Sequence, residues 1–90
     1  MTEPPAPRRL GVLWSPEART DLRAIDRDQA LQILYCLSRF LNDRIGDVKK
    51  LKPPLPGLRL RCGDYRVFFD RQGENNIAIS AVRHRKDAYR

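Results

Sequence analysis

The feature that most constrains this chain is a stretch of strict alternation interrupted by one two-residue turn. Leu58-Arg59-Leu60-Arg61-Cys62 alternates apolar and basic residues, Gly63-Asp64 follows, and Tyr65-Arg66-Val67-Phe68-Phe69 resumes. Period-two patterning on both sides of a Gly-Asp pair predicts a β-hairpin with a two-residue turn. Counting back from the turn pairs Cys62 with Tyr65, Arg61 with Arg66, Leu60 with Val67 and Arg59 with Phe68. Successive side chains point to opposite faces of a strand. Leu58, Leu60, Cys62, Val67 and Phe69 therefore share an apolar side, and Arg59, Arg61, Arg66 and Phe68 share the other. An apolar sheet face of this size has to be covered.

The cover is encoded upstream. Arg9 to Trp14 alternates weakly through Leu10, Val12 and Trp14 and reads as a short strand. Ser15-Pro16-Glu17 is a helix start: Ser15 can cap, Pro16 fits the first helical position, and Glu17 complements the helix dipole. Ala18, Leu22 and Ile25 mark the apolar face of that helix. Asp26, with Gln29 three residues on, predicts a capping box for a second helix. Ala30, Ile33, Leu34, Leu37 and Leu41 form its apolar stripe, and Gly46 is its expected stop. Lys49 to Gly57 carries Pro53, Pro54, Pro56 and Gly57, which predicts no regular element. After the hairpin, a turn around Gln72-Gly73-Glu74-Asn75 leads to a further strand, Ile77 to Arg85.

The expected order is strand, helix, helix, strand, strand, strand. This is an α+β domain with a small, mainly antiparallel sheet and two N-terminal helices packed on one face. Ninety residues leave no room for a second independent core. The first eight residues contain three prolines and almost nothing to bury, predicting a disordered tail over 1–8 and one domain over 9–90.

Charge is distributed unevenly. Residues 1–48 hold seven Lys+Arg and seven Asp+Glu, whereas residues 49–90 hold eleven against four, so the whole +7 lies in the second half. A one-sided positive field suits a polyanion, nucleic acid or an acidic protein, although a solvated basic face also keeps a protein soluble. No apolar run is long enough to cross a membrane. No basic stretch followed by an apolar one opens the chain, which predicts a cytoplasmic protein. Cys36 and Cys62 are too few for a disulfide framework and lack the company a zinc site needs. They read as reduced core residues, and Trp14 and Tyr35 likewise read as packing.

Two places can carry chemistry. The first is the basic hairpin face, where Arg61 opposite Arg66 costs stability on an isolated sheet. That cost is offset if an anion binds between them, and Phe68 adds a flat surface on which a base can stack. The other reading is that these arginines protect the sheet from aggregation. The second place is Arg83-His84-Arg85-Lys86-Asp87-Ala88-Tyr89-Arg90, which gathers an imidazole, several cations and a phenol. These groups suit proton transfer and phosphate stabilisation. If Ile77 and Ile79 face the core, unbroken alternation puts His84 on the Arg59 side and Arg85 on the opposite one. A bulge near Ala81 reverses this. No glycine-rich phosphate loop, carboxylate pair or metal-ligand cluster is present, so the expected chemistry uses no metal and no cofactor.

Four segments together resemble the RelE/ParE family of toxins from type II toxin–antitoxin systems, and the likeness runs through the chain after the tail. They are Trp14-Ser15-Pro16-Glu17-Ala18, Val48-Lys49-Lys50-Leu51-Lys52, the hairpin Leu58 to Phe68 with its Gly63-Asp64-Tyr65-Arg66, and the His84-Arg85-Lys86-Asp87-Ala88-Tyr89 ending. The ending makes the resemblance closer to the RelE branch. It implies a RelE-like fold and an endoribonuclease that enters the ribosomal A site and cuts mRNA, the ribose 2′-OH attacking the adjacent phosphate without metal. By motif position, Arg66 and Arg85 would stabilise the transition-state phosphate. Tyr89 would stack on the base and join in proton transfer, and His84 would act as acid or base. Arg59, Arg61, Phe68, Lys50, Lys52 and Lys86 would bind the RNA.

Well-studied members carry two lysines, two residues apart, where this sequence has Gly57 and Arg59. Arginine holds its proton too firmly to act as a base, which leaves His84 or Tyr89 for that role. The resemblance also implies a cognate acidic antitoxin that covers the basic face and carries the DNA-binding part, so contact with DNA would be indirect. Two alternatives share this fold: a ParE-like toxin that inhibits DNA gyrase without catalysis, and an inactive relative that only binds its antitoxin.

Overall fold

A strand β1 (Gly11–Trp14) leads into helices α1 (Pro16–Arg23) and α2 (Arg27–Asp43), and four strands follow: β2 (Asp47–Lys50), β3 (Leu58–Cys62), β4 (Tyr65–Gln72) and β5 (Asn76–His84). This is the arrangement in a computed structural model whose described residues are 9–88; the expected tail over 1–8, Tyr89 and Arg90 lie outside them. The five strands form one sheet in the order β1-β5-β4-β3-β2. β1 runs parallel to β5, and the other neighbours are antiparallel.

The hairpin has the register that its alternation predicts, from Cys62 opposite Tyr65 to Leu58 opposite Phe69. Gly63 takes φ 62° at the first turn position, a conformation open to glycine at little cost. Leu60, Cys62, Val67 and Phe69 are buried with Ile77, Ile79 and Val82 of β5. Ile33, Leu37 and Leu41 of α2 and Ala18 of α1 complete the core against them.

Ser15 caps α1 as expected, its Oγ accepting the Ala18 N–H at 3.0 Å, with Pro16 opening the helix. Three details of α2 differ from expectation. Asp26 occupies the cap position but makes no side-chain capping bond, so the predicted capping box does not form. Leu34 is 39% exposed, because the stripe that meets the sheet is set by Ile33, Leu37 and Leu41. Phe40 packs from beside that stripe onto Phe69, with ring centroids 5.6 Å apart. The helix ends before Gly46: Arg44 takes the left-handed conformation at φ 60° and donates from Nη1 to the Leu41 carbonyl at 2.7 Å.

β2 corrects the expectation that Lys49 to Gly57 contains no regular structure. Asp47–Lys50 pairs with the outer edge of β3, bringing Val48 opposite Leu60 and Lys49 opposite Arg59. The strand gives β3 a partner for its otherwise open ladder and places Val48 against the core. Irregular backbone begins only at Leu51. That loop is closed by the Leu51 N–H donating to the Gly57 carbonyl at 3.1 Å. The cysteines also depart from expectation: Cys36 and Cys62 are joined in a disulfide, tying α2 to β3 across Cα atoms 5.8 Å apart.

β5 carries a bulge. Phe68 pairs with Ala81 and Phe69 with Ile79, so Ser80 is an extra residue on that strand. The surrounding polar groups are held largely by α1 and its cap. The Ser15 hydroxyl donates to the Ser80 carbonyl at 3.1 Å, and Asp21 Oδ2 accepts the Val82 N–H at 3.0 Å. β1 ends at Trp14, opposite Ile79, so the next part of the β5 edge meets Asp21 instead of a strand. Asp21→Ala removes that acceptor and should cost about 1–3 kcal/mol of stability. The exposed Asp28→Ala is the control and should stay within about 0.5 kcal/mol. Urea denaturation of the two variants beside the parent chain measures both.

Candidate functional site

The bulge decides what stands on the face of the sheet away from the helices. Beyond it, Val82 turns to the core, and Arg83 falls opposite Arg66, which itself falls opposite Arg61. Three arginines thus occupy one rung across β3, β4 and β5, with Asp47 opposite Arg61 at the β2 end. The neighbouring rung runs Lys49, Arg59, Phe68 and Ala81. Like charges in directly opposed positions repel, so this face is electrostatically loaded in the absence of an anion.

Local contacts restrain several of these side chains. Arg66 Nη1 donates to the Gly63 carbonyl at 2.8 Å and to its neighbour Tyr65 at 3.0 Å, which holds the guanidinium close to the hairpin turn. Arg85, just past the end of β5, meets the same turn. Its backbone N–H donates to the Asp64 carbonyl at 2.7 Å, and its Nε lies 3.8 Å from Asp64 Oδ1. Arg66, the middle residue of the rung, and Arg85 thus both contact the Gly63-Asp64 turn, Arg66 through the Gly63 carbonyl and Arg85 through Asp64. Arg83 reaches around the sheet edge to Asp21 at 3.7 Å while its side chain stays 51% exposed.

His84 is placed elsewhere. It pairs with Tyr65 on the helix side of the sheet, the two rings meeting edge to face at 5.2 Å. Its Nδ1 accepts the Lys86 N–H at 3.2 Å. The alternation without a bulge put His84 on the Arg59 side; the extra residue at Ser80 puts it on the other. Lys50 falls opposite Leu58, on the helix side by parity at the strand end, whereas Lys49 stands beside Arg59. Lys52 is exposed in the loop, Lys86 is exposed beyond β5, and Tyr89 lies outside the described residues.

The loop after β2 overhangs this face and leaves a groove of about 630 Å³. Phe68, Ala81 and Arg83 line it from the sheet, Leu51 and Leu55 from the loop, and Asp70 and Asp87 supply its carboxylates. Within the groove Arg83 stands against these two carboxylates, so the cations suited to a phosphodiester are Arg61 and Arg66 of the rung beside it, with Phe68 offering a ring for a base. Among the described residues, no group of three or more His, Cys, Asp and Glu is placed to hold a metal ion. No helix among them is long and apolar enough to cross a membrane.

Sequence reasoning placed Arg83 in the C-terminal basic run but not on the hairpin face, and gave Lys49 and Asp21 no part in this site. For Arg83 a signal was present: Ile77 and Ile79 are two apart, but the next buried residue, Val82, is three further on. That spacing marks a bulge in a strand.

Comparison with known proteins agrees with this geometry. The family model of the ParE toxin of type II toxin–antitoxin systems, parDE, matches residues 12–89. The fold matches the RelBE2 toxin–antitoxin complex of Mycobacterium tuberculosis, with a TM-score of 0.74 at 23% identity over 88% of this chain and 94% of that one. The RelB–RelE antitoxin–toxin complex of Methanococcus jannaschii gives 0.68 at 27% identity, over 86% and 94%. The YoeB dimer of Staphylococcus aureus gives 0.64 at 26% identity, over 84% and 97%. No curated protein matches the chain.

A small α+β domain with a helix-backed sheet and a basic open face is thus the framework of a type II toxin. The chain belongs to the ParE toxin family, within the RelE/ParE superfamily.

If the arginine rung is an anion site, binding of a labelled single-stranded RNA should weaken steeply as salt rises. Arg66→Ala should lower the slope of log K against log salt by about 0.7. Fluorescence anisotropy at several salt concentrations checks this, and an unchanged slope removes Arg66 from the interface.

Proposed function

We propose that this toxin is a ribosome-dependent mRNA endoribonuclease acting in the cytoplasm. The observation that carries the reading is the rung Arg61, Arg66 and Arg83, with Arg85 held at the adjoining hairpin turn and Phe68 on the next rung. In the reaction, the ribose 2′-OH attacks the adjacent phosphate, forming a new P–O bond and expelling the 5′ oxygen of the next nucleotide. The attacking group must lose a proton and the leaving oxygen must gain one. Arg66 and Arg85 supply fixed positive charge to the phosphate, the contribution most valuable where charge builds up in the transition state. Arg59, Arg61 and Phe68 hold the strand, with Lys50, Lys52 and Lys86 attracting it at longer range.

In this reading Tyr89, assigned from the sequence alone, is the candidate for proton transfer. His84 has Nδ1 occupied by the Lys86 N–H and belongs by register to the other face, so its part is to fix the end of β5. A cognate acidic antitoxin neutralises the face. Support for that partner comes from the RelBE2 and RelB–RelE structures, both of toxins bound to antitoxins. DNA is reached only through the antitoxin.

A second reading is inhibition of DNA gyrase by protein contact alone. It is favoured by the ParE family match and by the absence of the His84 ring from the arginine face. Primer extension on an mRNA translated in a purified system, with and without ribosomes, separates the two. Cuts appearing only with ribosomes support the first reading; intact mRNA together with growth arrest and DNA damage supports the second. Under the first, Arg66→Ala or Arg85→Ala should abolish growth arrest while antitoxin binding stays measurable. Continued arrest in both variants would overturn the mechanism.

A further inference from the structure

A second cleft, of about 550 Å³, lies at the β2 edge of the sheet. Its charged lining is Lys49, Lys50, Lys52 and Arg59, with no acidic residue. The remainder is aliphatic: Leu51, Leu55 and the Pro53–Pro54 pair. Arg59 is half-buried, and its Nη1 is buried with no hydrogen-bond partner among the described residues. Lys49 stands directly opposite Arg59 across β2 and β3. A buried guanidinium nitrogen without an acceptor is costly, and a neighbouring ammonium raises the cost. A carboxylate or phosphate in the cleft would offset the repulsion between these cations and reach the guanidinium through its other nitrogens.

The walls distinguish the two anions. Nucleotides gain much of their affinity from stacking bases on aromatic rings. Phe68 offers that in the groove, but no aromatic residue lines this cleft. Aliphatic walls beside a cluster of cations complement a peptide in which Asp or Glu stands next to Leu, Ile or Val. We propose that this cleft receives an acidic, aliphatic segment of the antitoxin, with a carboxylate on Arg59 and an aliphatic side chain between Leu51 and Leu55.

This rests on the reading that the toxin has an acidic antitoxin, and it assigns one anchoring site for it. Leu51 and Leu55 line both clefts. A peptide seated at the edge therefore holds the same loop that roofs the groove and couples the two sites.

The test uses the full chain, labelled with 15N, and two capped tetrapeptides, Ac-Glu-Leu-Glu-Leu-NH2 and its Ac-Gln-Leu-Gln-Leu-NH2 counterpart, with AMP as the nucleotide probe. The acidic peptide should shift the amides of Lys49 to Arg59 and bind roughly tenfold more tightly than the neutral one. Arg59→Gln should remove that preference. The exposed Lys52→Gln, which leaves the core untouched, should weaken the acidic peptide roughly threefold. Equal binding of the two peptides, acidic-peptide shifts confined to Phe68 and Arg83, or tighter binding of AMP in this cleft would each overturn the proposal, the last making it a nucleotide site. The assay contains neither ribosome nor mRNA. Failure of the cleavage reading leaves its result intact, and failure of peptide binding leaves the cleavage reading standing.

Discussion

The hydrogen bond from the Val82 N–H to Asp21 fixes more of this protein than its size suggests. It satisfies a donor on a strand edge that has lost its β neighbour, next to a bulge that would otherwise be free to slide. With Ser80 as the extra residue, Val82 enters the core and Arg83 joins Arg61 and Arg66. Without it, every side chain of β5 after Ile79 would exchange faces. A helix on one side of the sheet thus sets the chemistry displayed on the other.

The same constraint explains where charge can be tolerated. Opposed arginines are unfavourable on a sheet, and this sheet keeps them because the apolar ladder beneath supplies the stability. Leu60, Val67, Ile77 and Ile79 are almost fully enclosed, and the disulfide joins β3 to α2 directly behind the hairpin. Surface repulsion is a modest penalty beside several fully buried aliphatic side chains, each contributing about 1.5–3 kcal/mol.

The hairpin was legible residue by residue because three independent signals agreed: strict alternation, a glycine at the turn, and a basic side opposed to an apolar one. The parity of β5 could also be read, from the spacing of Ile77, Ile79 and Val82, but only with a bulge allowed. β2 was hidden for a physical reason. Its four residues are mostly charged and run straight into a proline-rich loop, so the strand depends on the unpaired edge of β3 and not on its own pattern. The disulfide was beyond reach, since spacing in sequence does not bring Cys36 of a helix against Cys62 of a strand. The same limit separated Lys49 from Lys50: one register step decides which of two adjacent lysines shares a face with Arg59.

The position of β5 in the sheet has a consequence for how the molecule comes into being. It lies between β1 and β4, yet it is the last strand made, so the N-terminal strand must wait for residues 76–84 before it has a neighbour. Such long-range pairing is slow to form. During synthesis the hairpin can close early, but the row of arginines stays incomplete and the apolar ladder keeps one side open until β5 has been made. The nascent polypeptide therefore has no assembled basic surface until residues 76–84 have left the ribosome.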